Sequence, residues 1–390
     1  MKHLDVLCRL IEFDTSGIDG QGCREAFAYL EPLLTAAGCE TVLLRIPPDE
    51  ADGLPGRMAL VGHRRNRARP RLLIYGHVDV VPVAGWDGFT PRRERGLIYG
   101  RGAADMKGAL AALLGALWQV RCVELTYDAT ILITMDEETH QMSQLRYLTR
   151  YVDPGTCPHV LSLDAGFGYV SIANLGLLQV DVRVHGIATH SGLAHLGRNA
   201  VEGAVSLMSS LTELKHAVVQ RRSQVRAHPD TGLEFMHARL NLNRIEGGIA
   251  RNVVPDCCEF SVDRRLLPGE DVDAARDEIR SAMLRVTGVE WEITREFAIP
   301  SVQPCDDPQS LVLAGVIDSV VATSGLYGDM LSGELPAAAS NYWGGSAFAT
   351  GLIRPDCGIH GMNEFVSEKD LDQLVEVLAR FLTGDRKEAA

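Results

Sequence analysis

The 390-residue chain carries nine cysteines but no C-x-x-C pair, which removes zinc-ribbon and thioredoxin readings. Its one close pair, Cys257-Cys258, is adjacent, so the two side chains would point to opposite faces of a strand. No run of about 18 apolar residues occurs, so nothing reads as membrane-spanning. No signal-peptide apolar core precedes the amphipathic opening segment MKHLDVLCRLIEFDTSG. A basic surplus is also missing: 38 Lys and Arg stand against 51 Asp and Glu, a net charge of −13. That balance argues against a nucleic-acid partner. The absence of G-x-S-x-G argues against a serine hydrolase of the nucleophile-elbow type. Neither internal repeats nor low-complexity stretches are present. These absences imply a soluble protein of a reducing compartment, placed in the cytoplasm, with no membrane or nucleic-acid partner. Arg57, Arg64, Arg65, Arg67, Arg69 and Arg71 crowd together ahead of an apolar run and read as a solvated hairpin or loop.

What remains is ordinary globular composition, with 46 % hydrophobic and 23 % charged residues, and length for two domains. Short apolar runs at 72–75, 130–134 and 160–163 alternate with helical patterns at 3–12, 23–36 and 108–120. This predicts an α/β domain whose sheet is covered on both faces. Near residue 177 the pattern changes. Leu178, Val180, Val182 and Val184 alternate with polar residues, as in a strand buried on one face only. A helix at 199–220, strands at 233–245 and 255–265, a helix at 271–287 and a strand through Val289, Trp291 and Ile293 follow. That order, β-α-β-β-α-β, is ferredoxin-like. The reading is one discontinuous domain, 1–176 and 298–390, with a smaller α+β domain inserted at 177–297.

Ligands of open α/β sheets sit beyond the carboxyl ends of the strands, so the polar residues closing each run are the first suspects. Gly76-His77-Val-Asp79 follows the first run, with Asp79 able to fix the His77 tautomer. Asp105, in Gly100-Arg-Gly102-Ala-Ala-Asp105-Met-Lys-Gly108, opens the long apolar helix. A dinucleotide loop is disfavoured there, because this carboxylate would repel a pyrophosphate; a helix cap and a metal-bridging carboxylate remain open. Asp136-Glu137-Glu138 closes the second run, Asp164 the third, and His360 and Glu364 precede the final helix. A divalent cation would relieve the repulsion among three consecutive acids and free one glutamate to act as a base. Two histidines among aspartates and glutamates suit zinc, cobalt or manganese better than calcium. Such an inventory also meets the needs of a two-metal site.

These segments resemble the M20 family of metallopeptidases and amidohydrolases. GHVDVVP, YGRGAADMKG, MDEE, GIATHSG, NVVPD with VDRRLLPGED, and HGMNEFV occur in family order between residues 76 and 366. The resemblance implies a mixed-sheet catalytic domain with an inserted ferredoxin-like dimerisation, or lid, domain. It also implies two divalent ions per chain, zinc foremost. His77 and Asp164 would hold one ion, Glu138 and His360 the other, and Asp105 would bridge them, with a cis peptide following it. Asp79 would orient His77, and Glu137 would be the general base. His190 would reach the active site of a partner subunit in a homodimer joined through the inserted domain. Asn252 and Arg264 would contact a substrate carboxylate. Strand phase puts Arg264 with Cys258, Phe260 and Val262, where an unpaired charge is costly. The implied substrate is an N-acyl amino acid or a related small molecule, hydrolysed at its amide bond. A dipeptidase or carboxypeptidase is the nearest alternative, and a non-catalytic binding protein on the same scaffold is the alternative of another class. The chain departs from the family pattern at 139–144 and 336–358, where the substrate wall would lie.

Overall fold

The computed structural model describes residues 2–139, 142–152, 158–323 and 325–384, apart from the side chains of Met142, Tyr342 and Trp343. Parts of both departing segments therefore lie outside the described residues. The chain divides into two compact units. One comprises Met1–Ile172, Cys305–Tyr327 and Gly333–Ala390; the other comprises Ala173–Pro304 and Gly328–Ser332. The insert read from the sequence lies inside the second unit. The short Gly328–Ser332 segment, which carries no sequence mark of its own, belongs there too and bridges Ala227 through Gly328.

The first unit is organised by a mixed sheet in the order Glu40–Ile46, Arg57–Arg64, Asp128–Thr134, Arg71–His77, His159–Ser162 and Ser346–Ala349, completed by Val170–Asn174 and Leu326–Asp329. Asp128–Thr134, Arg71–His77, His159–Ser162 and Ser346–Ala349 run parallel to one another. Their near-continuous apolar runs match burial on both faces. The helix Lys107–Gln119 is rich in Ala and Leu and is buried on all sides from Lys107 through Leu117, as a core helix must be. It packs close to the sheet because residue 76 is glycine: a Cβ there would meet Leu110 Cδ2 and Met106 Cε at 2.7 Å. The closing helix Glu368–Thr383 buries Leu371, Leu374, Val375, Leu378, Phe381 and Leu382 on one face. Each such side chain contributes about 1.5–3 kcal/mol.

The arginine cluster is a correction to the sequence reading. Arg57–Arg64 is a sheet strand rather than a solvated loop, and Arg57 is 1 % exposed. Its guanidinium pairs with Asp136, 79 positions away, a partner that local charge counting does not reveal. Arg64 donates to the carbonyls of Ala37, Val120, Arg121 and Val123. It thereby satisfies acceptors left open at the ends of two helices.

In the second unit, Arg239–Gly247, Cys257–Leu266, Gly176–His185 and Glu290–Ile299 form a four-stranded antiparallel sheet in that order. With helices Ala200–Val218 and Val272–Leu284 this is the ferredoxin-like β-α-β-β-α-β arrangement. Leu178, Val180, Val182, Val184, Phe260 and Val262 pack beneath the helices, while Cys257 is exposed and Cys258 buried, as strand alternation requires. The strand expected at 233–245 is instead two, Phe235–His237 and Arg239–Gly247, the first pairing with Arg222–Arg226. Among the described residues no helix is long and apolar enough to cross a membrane.

Candidate metal centre

Parallel register brings the first donors together. His77, the last residue of its strand, lies opposite Thr134, so Glu137 and Glu138 emerge from the turn beside it. On the other side Tyr75 lies opposite Ser162, so two further residues along each strand place His77 next to Asp164. Asp105 arrives on the loop before Lys107–Gln119, and a cis peptide links it to Met106. His360 enters from a turn at φ 57°.

The resulting donors form two groups that share Asp105. One is His77, Asp105 and Asp164; the other is Asp105, Glu138 and His360. In each, the potential ligand atoms all lie within 4.8 Å of one another. His77 Nε2 is 3.7 Å from Asp105 Oδ1, 3.9 Å from Asp164 Oδ2 and 4.0 Å from Glu137 Oε2. His360 Nε2 is 3.3 Å from Asp105 Oδ2 and 3.1 Å from Glu138 Oε2. Donors bound about 2 Å from one shared zinc stand about 3–4 Å apart, so these spacings fit a cation better than direct hydrogen bonds for His77. The chemistry agrees: His77 Nε2 is fully buried without a hydrogen-bond partner, an expensive state unless a ligand takes its lone pair.

Asp79 prepares that lone pair. Its backbone carbonyl lies 3.1 Å and its Oδ1 3.3 Å from His77 Nδ1, so the Nδ1 proton donates towards Asp79 and Nε2 is left as a ligand. The other oxygen of Asp79 accepts from the Glu138 backbone N–H at 2.9 Å. Asp79 thus fixes a ligand on each side of the site, His77 through its backbone carbonyl and Glu138 through its carboxylate.

Electrostatics mark the same cluster. Burial disfavours a charged His77, but Asp105 and Asp79 beside it outweigh burial and hold its pKa well above the ordinary histidine value. Hydrogen bonding to Asp105 and Glu138 pushes His360 up to about 10. Burial opposes the charge on Asp105, yet the two histidines hold it below the usual carboxylate range. Burial, reinforced by Asp164 and Glu138, pushes Glu137 well above the ordinary value. Glu138 is likewise raised by burial. Carboxylates outnumber cationic groups here, which is the imbalance a divalent ion corrects.

The turn carrying Glu137 is held from beneath. Asp136 sits at φ 69°, a conformation that Asp tolerates better than most residues. Its carboxylate accepts from Arg57 at 2.7 Å and from Gln144 at 2.6 Å. Gln144 belongs to the departing 139–144 segment, so that departure supplies part of the support.

The remaining expected residues lie in the second unit. His190 and Asn252 are neighbours there: His190 pairs with Val253 in a short ladder, and the Asn252 carbonyl accepts from the Ser191 N–H at 2.9 Å. His190 is exposed, and its Nδ1 accepts from the Gly192 N–H at 3.1 Å. Arg264 is 1 % exposed and donates to Glu270 at 2.7 Å, so its buried charge has a partner inside its own unit. On the opposite strand face Arg265 pairs with Asp263 at 2.9 Å.

In the first unit two donor groups thus share one carboxylate, and comparison with known proteins shows what the chain is similar to. Residues 172–288 match the M20 peptidase dimerisation domain. Acetylornithine deacetylase of Aliivibrio salmonicida is 30 % identical over 222 residues, covering 54 % of this chain and 55 % of that protein. Succinyl-diaminopimelate desuccinylase of Corynebacterium glutamicum is 29 % identical over 267 residues, covering 66 % and 67 %. The matched stretch thus spans about half to two thirds of these curated relatives. An M20 family metallo-carboxypeptidase from Sulfolobus solfataricus has the same fold, with TM-score 0.79 at 18 % identity over 98 % of each chain. The chain is thus similar to M20 family proteins in its dimerisation-domain segment and in its fold.

Proposed function

We propose that this protein is a dinuclear metal-dependent amidohydrolase that removes the acyl group from an N-acyl amino acid or a related small molecule. The observation that carries the reading is the pair of donor groups sharing Asp105, with Glu137 beside them but in neither. His77 and Asp164 would hold one divalent ion, Glu138 and His360 the other, and Asp105 would serve both. Zinc suits the nitrogen and carboxylate set, with cobalt or manganese as substitutes. When bound, such a pair supplies Lewis acidity towards water and a carbonyl oxygen.

The chain's own residues supply the proton chemistry. Glu137 accepts a proton from the attacking water at its carboxylate and passes it to the departing amine. Asp79 keeps His77 in the ligating tautomer throughout. His190 of the partner subunit would donate to the oxyanion of the tetrahedral intermediate, which requires a homodimer joined through the second unit. The dimerisation-domain match supports that assembly. Asn252, adjoining His190, and Arg264, which also pairs with Glu270, are the residues assigned to the substrate carboxylate. A cytoplasmic location agrees with the eight described cysteines, all unbridged.

The names of the two curated relatives favour a deacylase. The carboxypeptidase likeness keeps peptide hydrolysis as the second reading. Free-amine release from N-acetyl, N-succinyl and N-formyl amino acids and from dipeptides, with apo protein beside zinc- or cobalt-loaded protein, separates them. Metal-dependent release from acylated amino acids supports the deacylase; release from dipeptides alone supports the peptidase. Two bound metals without any release would place the substrate outside these classes. No release and no metal would leave a binding protein on this scaffold.

A further inference from the structure

Glu364 is 1 % exposed and takes no part in either donor group, yet four donors converge on its carboxylate. Oε2 accepts from Arg101 Nη1 at 2.8 Å and from the Gly102 N–H at 3.0 Å. Oε1 accepts from the backbone N–H groups of Ala104 at 2.9 Å and Asp105 at 3.1 Å. The backbone carbonyl of Glu364 accepts from the Gly100 N–H at 2.9 Å. Next to it, Phe365–Ser367 pairs antiparallel with Leu97–Tyr99. Arg101 completes the circuit by donating through Nη2 to the Gly361 carbonyl at 2.9 Å, one residue beyond His360.

The loop delivering Asp105 and the turn delivering His360 are therefore fastened to each other through one buried carboxylate. Nothing in the sheet does this for His360. His77 and Asp164 are set by strand register, whereas His360 leaves its turn in a left-handed conformation and is half exposed. A charged acceptor with several backbone donors is strong and directional, and buried it loses much if one oxygen becomes a donor.

We infer that Glu364 is a positioning residue that fixes His360 relative to Asp105 and so sets the affinity of the metal position formed by Asp105, Glu138 and His360. This deepens the metal reading above and rests on it. In Glu364→Gln, the amide NH2 must face either the Arg101 and Gly102 donors or the Ala104 and Asp105 donors, so one pair loses its acceptor. In Arg101→Lys, the charge remains but one ammonium replaces the fork that reaches both Glu364 and Gly361.

The test is stepwise calorimetric titration of the metal-free full chain with zinc, repeated with cobalt while its visible absorption is followed. Melting of the apo proteins is measured in parallel. The expected result is two ions in the wild type and, in Glu364→Gln, about 10–100-fold weaker binding at one position, the scale for loss of a ligand-orienting partner. The other affinity changes much less, and the absorption of the second cobalt ion is altered. Arg101→Lys shifts the same position in the same direction, and it decides the question if Glu364→Gln does not fold. Unchanged affinities, or both affinities falling by the same factor along with apo stability, would overturn the inference and leave Glu364 a general fold-holding residue. A wild type that binds fewer than two ions would overturn the metal reading itself, and this inference with it.

Discussion

Replacing Glu137 by glutamine separates proton transfer from metal binding, and the geometry sets what each readout should do. Glu137 lies outside both donor groups, with its Oε2 4.0 Å from His77 Nε2. Glutamine has the same shape but cannot accept the proton of an attacking water. A positioned base contributes about 10²–10⁴-fold, so turnover should fall by that factor, or about 3–5 kcal/mol of barrier at ~1.4 kcal/mol per tenfold. Metal content should stay at the wild-type value. Glu138→Gln, one residue on, is the internal contrast. Glu138 Oε2 is 3.1 Å from His360 Nε2 and belongs to the second group, so its loss should remove an ion as well as activity. Steady-state amine release at saturating metal, with metal quantified on the same samples, reads both. Turnover within a small factor of wild type in Glu137→Gln, or loss of metal from it, would refute the assignment of Glu137 as base.

Three other outcomes follow from particular contacts. Arg264→Gln leaves Glu270 with Arg221 but without its buried partner, so it should cost roughly 2–4 kcal/mol in urea unfolding, near the range for a broken buried pair. Raised KM with unchanged stability would instead make Arg264 a substrate contact alone. Lys107 is fully buried and burial lowers its pKa from 10.5 to about 8. Between those values the unfolded chain binds more protons, so stability rises with pH through that window, by about 3 kcal/mol in total. The stability difference between wild type and Lys107→Met should therefore shift in favour of wild type from pH 7.5 to about 10.5; a flat difference would contradict the burial argument. His190→Ala should lower turnover with metal content unchanged, and the protein should sediment as a dimer. An unchanged rate, or a monomer at assay concentration, would remove His190 from the site.

Much of this was legible in the sequence because the sheet makes local order spatial. His77, Glu138 and Asp164 each close an apolar run, and parallel register places the ends of such runs side by side. The ferredoxin-like unit was legible for a similar reason: one-sided alternation at 177–185 cannot belong to a sheet covered on both faces. What stayed hidden depends on partners far apart in the chain. Arg57 looks like one member of a solvated basic cluster until Asp136 is brought against it. The charge of Arg264 was placed on the correct strand face, but its counter-charge, Glu270, lies beyond the strand in the loop leading to the next helix. Glu364 reads as an ordinary acid before a short strand. Only the pairing of 365–367 with 97–99 turns it towards the loop that carries Asp105. Had a signal been sought, it was an acid set four residues after a candidate ligand and directly before an apolar pair.

The most direct test of the central claim is the metal stoichiometry of the chain and of Asp105→Ala, measured by equilibrium dialysis against zinc followed by elemental analysis. Because Asp105 is the one side chain common to both donor groups, the account predicts two ions per wild-type chain and loss of tight binding at both positions in the variant. A wild type that takes up no zinc, or an Asp105→Ala chain that still holds two ions, would contradict it.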